Sequence, residues 1–104
     1  MKILHLIPNL RKGGAERMAI DICLELMNQG HEVKLVTLHA ENEYNFLTKK
    51  IDHQIAKTSL KLSIIRKNQV DVVALQTIID SFQPEVIHSH LFEAEINLAF
   101  CHFP

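Results

Sequence analysis

The chain opens with a short apolar run that breaks at a proline, passes through a double glycine and continues as an amphipathic helix. Few folds accommodate that succession. Ile3, Leu4, Leu6 and Ile7 form a β-rich run stopping at Pro8, as a buried strand entering a loop does. Ala15, Ala19, Ile22, Cys23 and Leu26 then recur at helical spacing, with Arg17, Asp21, Glu25 and Asn28 on the opposite face. Gly30 ends the helix. At the junction, Gly13 and Gly14 remove side chains where a ligand's oxygens approach, and the free N–H groups of the helix start carry about half a positive charge. That arrangement suits a diphosphate.

The same rhythm of strand and helix continues. Strand one covers residues 2 to 8, helix one Gly14 to Gln29 and strand two His31 to Leu38, the last through Val33, Leu35, Val36 and Leu38. In residues 41 to 67 the period is poor; Tyr44, Phe46 and Leu47 suit a short helix, and Ile55 to Leu60 a third strand. Asn68 is positioned to cap a second long helix, whose stripe is Val72, Leu75, Ile79 and Phe82 and which Pro84 stops. Val86 to Ser89 reads as a fourth strand, and from Leu91 a final helix runs through Ile96, Ala99 and Phe100 to Pro104. The expected fold is therefore α/β, a Rossmann-like parallel sheet of order 3-2-1-4 with helices on both faces. In that order the direction of travel reverses between strands one and four, opening a crevice at their carboxyl ends. The loops flanking it hold Gly13 and Gly14 on one side and His88-Ser89-His90 on the other.

With 104 residues, 47% hydrophobic and 22% charged, the chain holds one domain's core and no more. A net charge of −1 gives no sign of nucleic acid. The charge is uneven, however: from Lys49 to Lys67 six basic residues face one acid, Asp52. This reads as a solvated face, or as a surface for anionic lipid or an anionic acceptor through Lys49, Lys50 and Lys57. His5 and Pro8 break the first apolar run short of a signal peptide, and no stretch has membrane-spanning length. The expected place is the cytoplasm, at the inner face of the membrane if the basic surface is used. Cys23 and Cys101 are then reduced thiols, on helices that the topology puts on opposite faces of the sheet, too far apart for a disulfide.

The residues themselves leave alternatives open. Gly13 and Gly14 equally fit a tight turn that lets the helix pack close to the strand. Glu16, and Glu93 with Glu95, sit in first helical turns, where acids are favoured by the dipole alone and where they can also reach a substrate hydroxyl. His88 and His90, two apart on a strand, share a face, but no third metal ligand stands at a recognisable spacing. His5 reads as a packed polar residue.

Taken together, Met-Lys-Ile-Leu-His-Leu-Ile-Pro-Asn-Leu, Gly13-Gly14-Ala15-Glu16-Arg17, Gly30-His31-Glu32-Val33 and Pro84-Glu85-Val86-Ile87-His88-Ser89-His90 resemble, in order and spacing, the N-terminal domain of glycosyltransferase family 4. The resemblance implies a retaining enzyme of GT-B fold, with the acceptor held mainly by the N-terminal domain and the nucleotide-sugar donor by the C-terminal one. It assigns the donor diphosphate to Gly13 and Gly14, whose N–H groups would stabilise the leaving nucleotide at about 1.5 to 3 kcal/mol per charge-assisted bond. It places His90 beside the transferred sugar as the catalytic residue, with Glu16, His88 and Glu93 as acceptor or supporting residues. No cofactor and no metal is implied. The acceptor class stays open among glycans, lipid-linked oligosaccharides and cell-envelope polysaccharides. Residues 1–104 would then be a partial domain, inactive alone, whose partner is the missing C-terminal domain or a second chain.

Two other classes stand beside this one. A dehydrogenase or epimerase domain is disfavoured because the loop lacks G-x-G-x-x-G and Glu41 lies far beyond strand two for a ribose-binding acid. A noncatalytic module would use the exposed edge of strand four, rich in Val86 and Ile87, to dock another chain.

Overall fold

A computed structural model of the chain describes residues 1–57, 59–61 and 69–102. The elements in chain order are β1 (Lys2–Ile7), α1 (Gly14–Asn28), β2 (Glu32–Thr37), α2 (Asn45–Thr48), β3 (Asp52–Ile55), β4 (Ser59–Lys61), β5 (Gln69–Asp71), α3 (Val73–Phe82), β6 (Val86–Ser89) and α4 (Phe92–Ala99). Four strands form one sheet, β3-β2-β1-β6, every neighbouring pair parallel. This is the order expected from sequence; the fourth strand of the sheet is sixth in the chain because the antiparallel pair β4-β5 intervenes.

Alternation along β1 divides the core in two. Leu4 and Leu6, with Val36 and Leu38, pack under α3 and α4 against Leu75, Ile79, Phe82 and Ala94. Ile7, with Val33 and Leu35, packs under α1 against Ala19, Ile20 and Cys23. Helices therefore cover both faces. The buried stripe of α1 includes Ile20, which the helical spacing had not singled out. Cys23 lies in one cluster and Cys101 packs against the other, and both thiols are free.

Helix α1 stops in a Schellman motif: the His31 N–H donates to Leu26 O at 3.1 Å and the Gly30 N–H to Met27 O at 3.0 Å, with Gly30 at φ 92. A side chain there would be strained, so the glycine is structural. At α3, Gln83 takes φ 52 and Pro84 follows, which ends that helix where expected.

Three expectations fail. The last helix, α4, stops at Ala99 instead of running on toward Pro104, so Cys101 lies beyond it. The third strand of the sheet lies at Asp52–Ile55, not at 55–60. It is an exposed edge strand whose Asp52, His53 and Gln54 carry no apolar period, and it is fixed instead by register with Lys34–Thr37 and by a 3.2 Å ion pair from Lys34 to Asp52. The expected start of the second long helix also moves. Asn68 lies outside the described residues, while 69–71 pair with β4 and α3 begins only at Val73, with no side-chain cap. Leu75, Ile79 and Phe82 of the expected stripe are buried and Val72 packs against their cluster.

Candidate active site at the carboxyl edge of the sheet

Because β1, β2 and β6 are parallel, the segments that follow them leave the same edge of the sheet. The loop after β1 is laced to the loop after β2. Pro8 O accepts the N–H groups of Leu38 and His39 at 3.0 and 2.9 Å, Leu10 donates to Glu41 O at 3.0 Å, and Glu43 donates back to Leu10 O at 2.8 Å. Side chains extend the lacing. The Arg11 guanidinium makes two bonds to the Glu41 carboxylate, Nη2 to Oε1 at 2.7 Å and Nε to Oε2, raising the pKa of Arg11 and lowering that of Glu41. Glu41 is thus committed to Arg11, away from the ribose-binding role of the rival reading. The Lys12 N–H donates to Glu43 Oε2 at 2.6 Å, and the Gly13 N–H to the Tyr44 hydroxyl at 3.3 Å.

Gly13 is the N-cap of α1, in extended backbone, and its carbonyl takes the first helical bond from Arg17 at 3.2 Å. The N–H groups of the first turn have no acceptor within the helix. Glu16 folds back toward them: a Cβ built on Gly13 would lie 2.5 Å from Glu16 Oε1. The Glu16 carboxyl group therefore lies beside the helix start. Gly14 is exposed, and a Cβ there would meet nothing within 4 Å. Arg17 turns along the helix to Asp21, 3.1 Å away.

On the other side of the edge three imidazoles meet. His5 of β1 stands in register with His88 of β6, so both project from the same face, and His90 follows two residues on. The His90 N–H donates to Leu6 O at 2.8 Å, which extends the β1 ladder to that residue. His5 Nδ1 and His90 Nε2 are 3.0 Å apart and share a hydrogen bond, one nitrogen carrying the proton. Ring centroids are 4.1 Å apart for His88 and His90, and 5.1 and 5.3 Å from His5 to each. Burial differs along the cluster: His5 is 1% exposed, His90 half-buried and His88 exposed. Burial, with added repulsion from His90 and His88, pushes the His5 pKa down to about 4; burial, then His88, lowers that of His90. Both rings are neutral at neutral pH.

His5 is packed, as read from sequence, but it also holds His90. The lack of a third ligand spacing is corrected here as well, since the third imidazole comes from a neighbouring strand rather than from nearby in the chain. His5 is the residue that sequence reasoning missed. Its signal lay in the topology, because the order 3-2-1-4 sets strand one against the strand bearing His88.

Glu93, in the first turn of α4, is bonded through Oε1 to His39 Nε2. His39 starts the loop whose later residues, Glu41 to Tyr44, hold the glycine loop. Segment 38–44 therefore meets Gly13 at one end, through Tyr44, and Glu93 at the other, through His39, while His88 and His90 cluster with His5. Between His90 and α4, Leu91 has φ 73 and ψ 160, a region that side chains rarely enter.

A parallel α/β sheet with helices on both faces, and with a glycine loop, helix start and histidines at its carboxyl edge, defines a Rossmann-like domain. The sequence model of glycosyltransferase family 4 matches residues 12–101, and the chain belongs to that family. It is 27% identical over 125 aligned positions to the alpha-1,3/1,6-mannosyltransferase ALG2 of Saccharomyces cerevisiae, covering 98% of this chain and 25% of the yeast protein. It is 41% identical over 46 positions to the enzyme of that name from Candida glabrata, covering 44% of this chain and 10% of that one. The chain thus spans about a quarter or less of these relatives. No solved structure matches it. Among the described residues, no helix is long and apolar enough to cross a membrane.

Proposed function

We propose that the chain supplies the acceptor-side, N-terminal part of a retaining glycosyltransferase that moves a sugar from a nucleotide-sugar donor to a glycan, lipid-linked or polysaccharide acceptor. The observation that carries this is the single edge on which segment 38–44 ties the start of α1 to the start of α4. Gly13 and Gly14 receive the donor diphosphate there, with the N–H groups of the first turn opposing the charge that grows as the sugar leaves. Glu16 yields its place beside that turn to the incoming anion. His90, oriented by His5, stands beside the transferred sugar, and Glu93 and His88 support the acceptor. Neither a cofactor nor a metal takes part. The donor's C-terminal half-site comes from further sequence or from a partner chain. The mannosyltransferase relatives make a mannosyl donor the first to try. Exposed Lys49, Lys50 and Lys57 offer a peripheral contact to an anionic membrane that presents the acceptor, and the cytoplasmic side is the expected location.

The test is transfer from nucleotide sugars by the complete gene product, with the product's anomeric configuration read by NMR. His90→Ala is expected to lower kcat by about a hundredfold or more, within the range for a group acting on the reacting centre. Wild-type turnover in the His90→Ala variant, or an inverted product, would overturn the reading.

A further inference from the structure

We infer that His5, His88 and His90 form a binding site for one divalent transition-metal ion of the borderline-soft kind, with zinc as prototype. One ring nitrogen from each residue can be chosen so that all three lie within 4.8 Å of one another. In a tetrahedral zinc site with Zn–N bonds of 2.0 to 2.1 Å, ligand nitrogens stand about 3.4 Å apart. His5 Nδ1 and His90 Nε2, 3.0 Å apart, stand a little closer than that, so ligation displaces the proton they share and spreads the pair slightly. His88, whose exposed ring stacks on that of His90 with centroids 4.1 Å apart, supplies the third nitrogen.

The donor set selects the ion. Three imidazoles without a carboxylate suit zinc, copper, nickel or cobalt and suit magnesium or calcium poorly. The buried position of His5 provides what a surface histidine pair lacks, a ligand fixed by a central strand in register with its partner. The ligand atom of His5 is Nδ1, the nitrogen that faces His90, while the other ring nitrogen, Nε2, is buried with no hydrogen-bond partner among the described residues. His88 and His90 face the open side, which leaves a fourth position for water or an external ligand.

Coordination takes the lone pair of His90. The ion is therefore an inhibitor of the proposed transfer and not its cofactor, a consequence that rests on the role given to His90 above; the binding site itself does not.

The experiment titrates the chelator-stripped 104-residue chain with cobalt(II), following the visible bands of tetrahedral cobalt, and then displaces the cobalt with zinc. Circular dichroism of each variant confirms that it is folded. One equivalent is expected to bind, at least tenfold more weakly in His88→Ala, whose side chain is outside the core, and in His5→Gln. His102→Ala is expected to bind as wild type does. Absence of tetrahedral bands, or equal affinity in folded His88→Ala, would overturn the site. In the complete gene product, saturating zinc is expected to suppress sugar transfer. Binding without suppression would support the site and remove His90 from the transfer step, so the two readings fail separately.

Discussion

Gly14 is helical, exposed and without a neighbour that a methyl group would touch. Nothing in the packing of the described residues asks for glycine at that position, which separates the two readings of the glycine pair. If the pair only makes a tight turn, Gly14→Ala is harmless. If a diphosphate approaches the helix start, the same methyl group stands in its way. The expected outcome is unfolding stability unchanged or up to about 1 kcal/mol higher, since alanine is the better helix former. The donor KM of the complete gene product should rise about tenfold, equivalent to roughly 1.4 kcal/mol. Donor titration beside denaturant unfolding checks both halves, and an unchanged KM would leave the turn as the whole explanation. Gly13→Ala is a poorer probe because its Cβ would displace the Glu16 carboxylate and so change the charge beside the helix.

At the scale of elements, the junction between β6 and α4 stores strain. Leu91 occupies a backbone region nearly reserved for glycine, between the His90 N–H bonded to Leu6 O and the Leu91 carbonyl bonded by the Glu95 N–H at 3.2 Å. The residue is 47% exposed and offers little packing in return. Relief of strain, less the greater freedom glycine gives the unfolded chain, predicts that Leu91→Gly raises stability by about 1 kcal/mol. Denaturant unfolding reads this directly, and a loss of that size would mean the leucine's contacts outweigh the strain. The junction also marks how far sequence carries. β1 and β2 were legible because buried parallel strands write their burial as apolar runs, the half-exposed edge strand β6 because Pro84 and the Val86-Ile87 pair mark its start, and α1 because the glycines bracket its stripe. β3 was misplaced because an edge strand gains its place from register and the Lys34 to Asp52 pair, which leave no period. The start of α3 was misjudged because β5 draws 69–71 into a ladder with β4, a nonlocal partner that no cap signal reveals. His90 and Gly13 stood out by local pattern, whereas the bond from His5 to His90 spans the chain and follows only from strand order.

For the molecule as a whole, the histidines make stability depend on pH in one direction. The folded state lowers the pKa of His5, His90 and His53, in each case mainly through burial, with Asp52 opposing the shift at His53. His53 also shares a 2.9 Å hydrogen bond with Thr37. A group whose folded pKa lies below its unfolded value binds its proton more tightly when unfolded, so acid favours unfolding. For His5 the contribution is complete above the unfolded value of 6.5 and is lost as pH falls toward the folded value of about 4. At a slope of about 1.4 kcal/mol per pH unit, His5 alone accounts for at most about 3 kcal/mol, and His90 and His53 act with the same sign. Glu41, held low by Arg11, loses its contribution only at more acidic pH, so the histidines dominate between about pH 7 and pH 5. Denaturant unfolding across that window, with a chelator present to keep metal from the imidazoles, should show stability falling steadily. His5→Gln removes the titrating ring, so its curve is flatter. An equal slope in the two proteins would mean that the His5 ring is protonated without cost in the fold, and that the cluster around His90 is wetter and looser than its 3.0 Å hydrogen bond indicates.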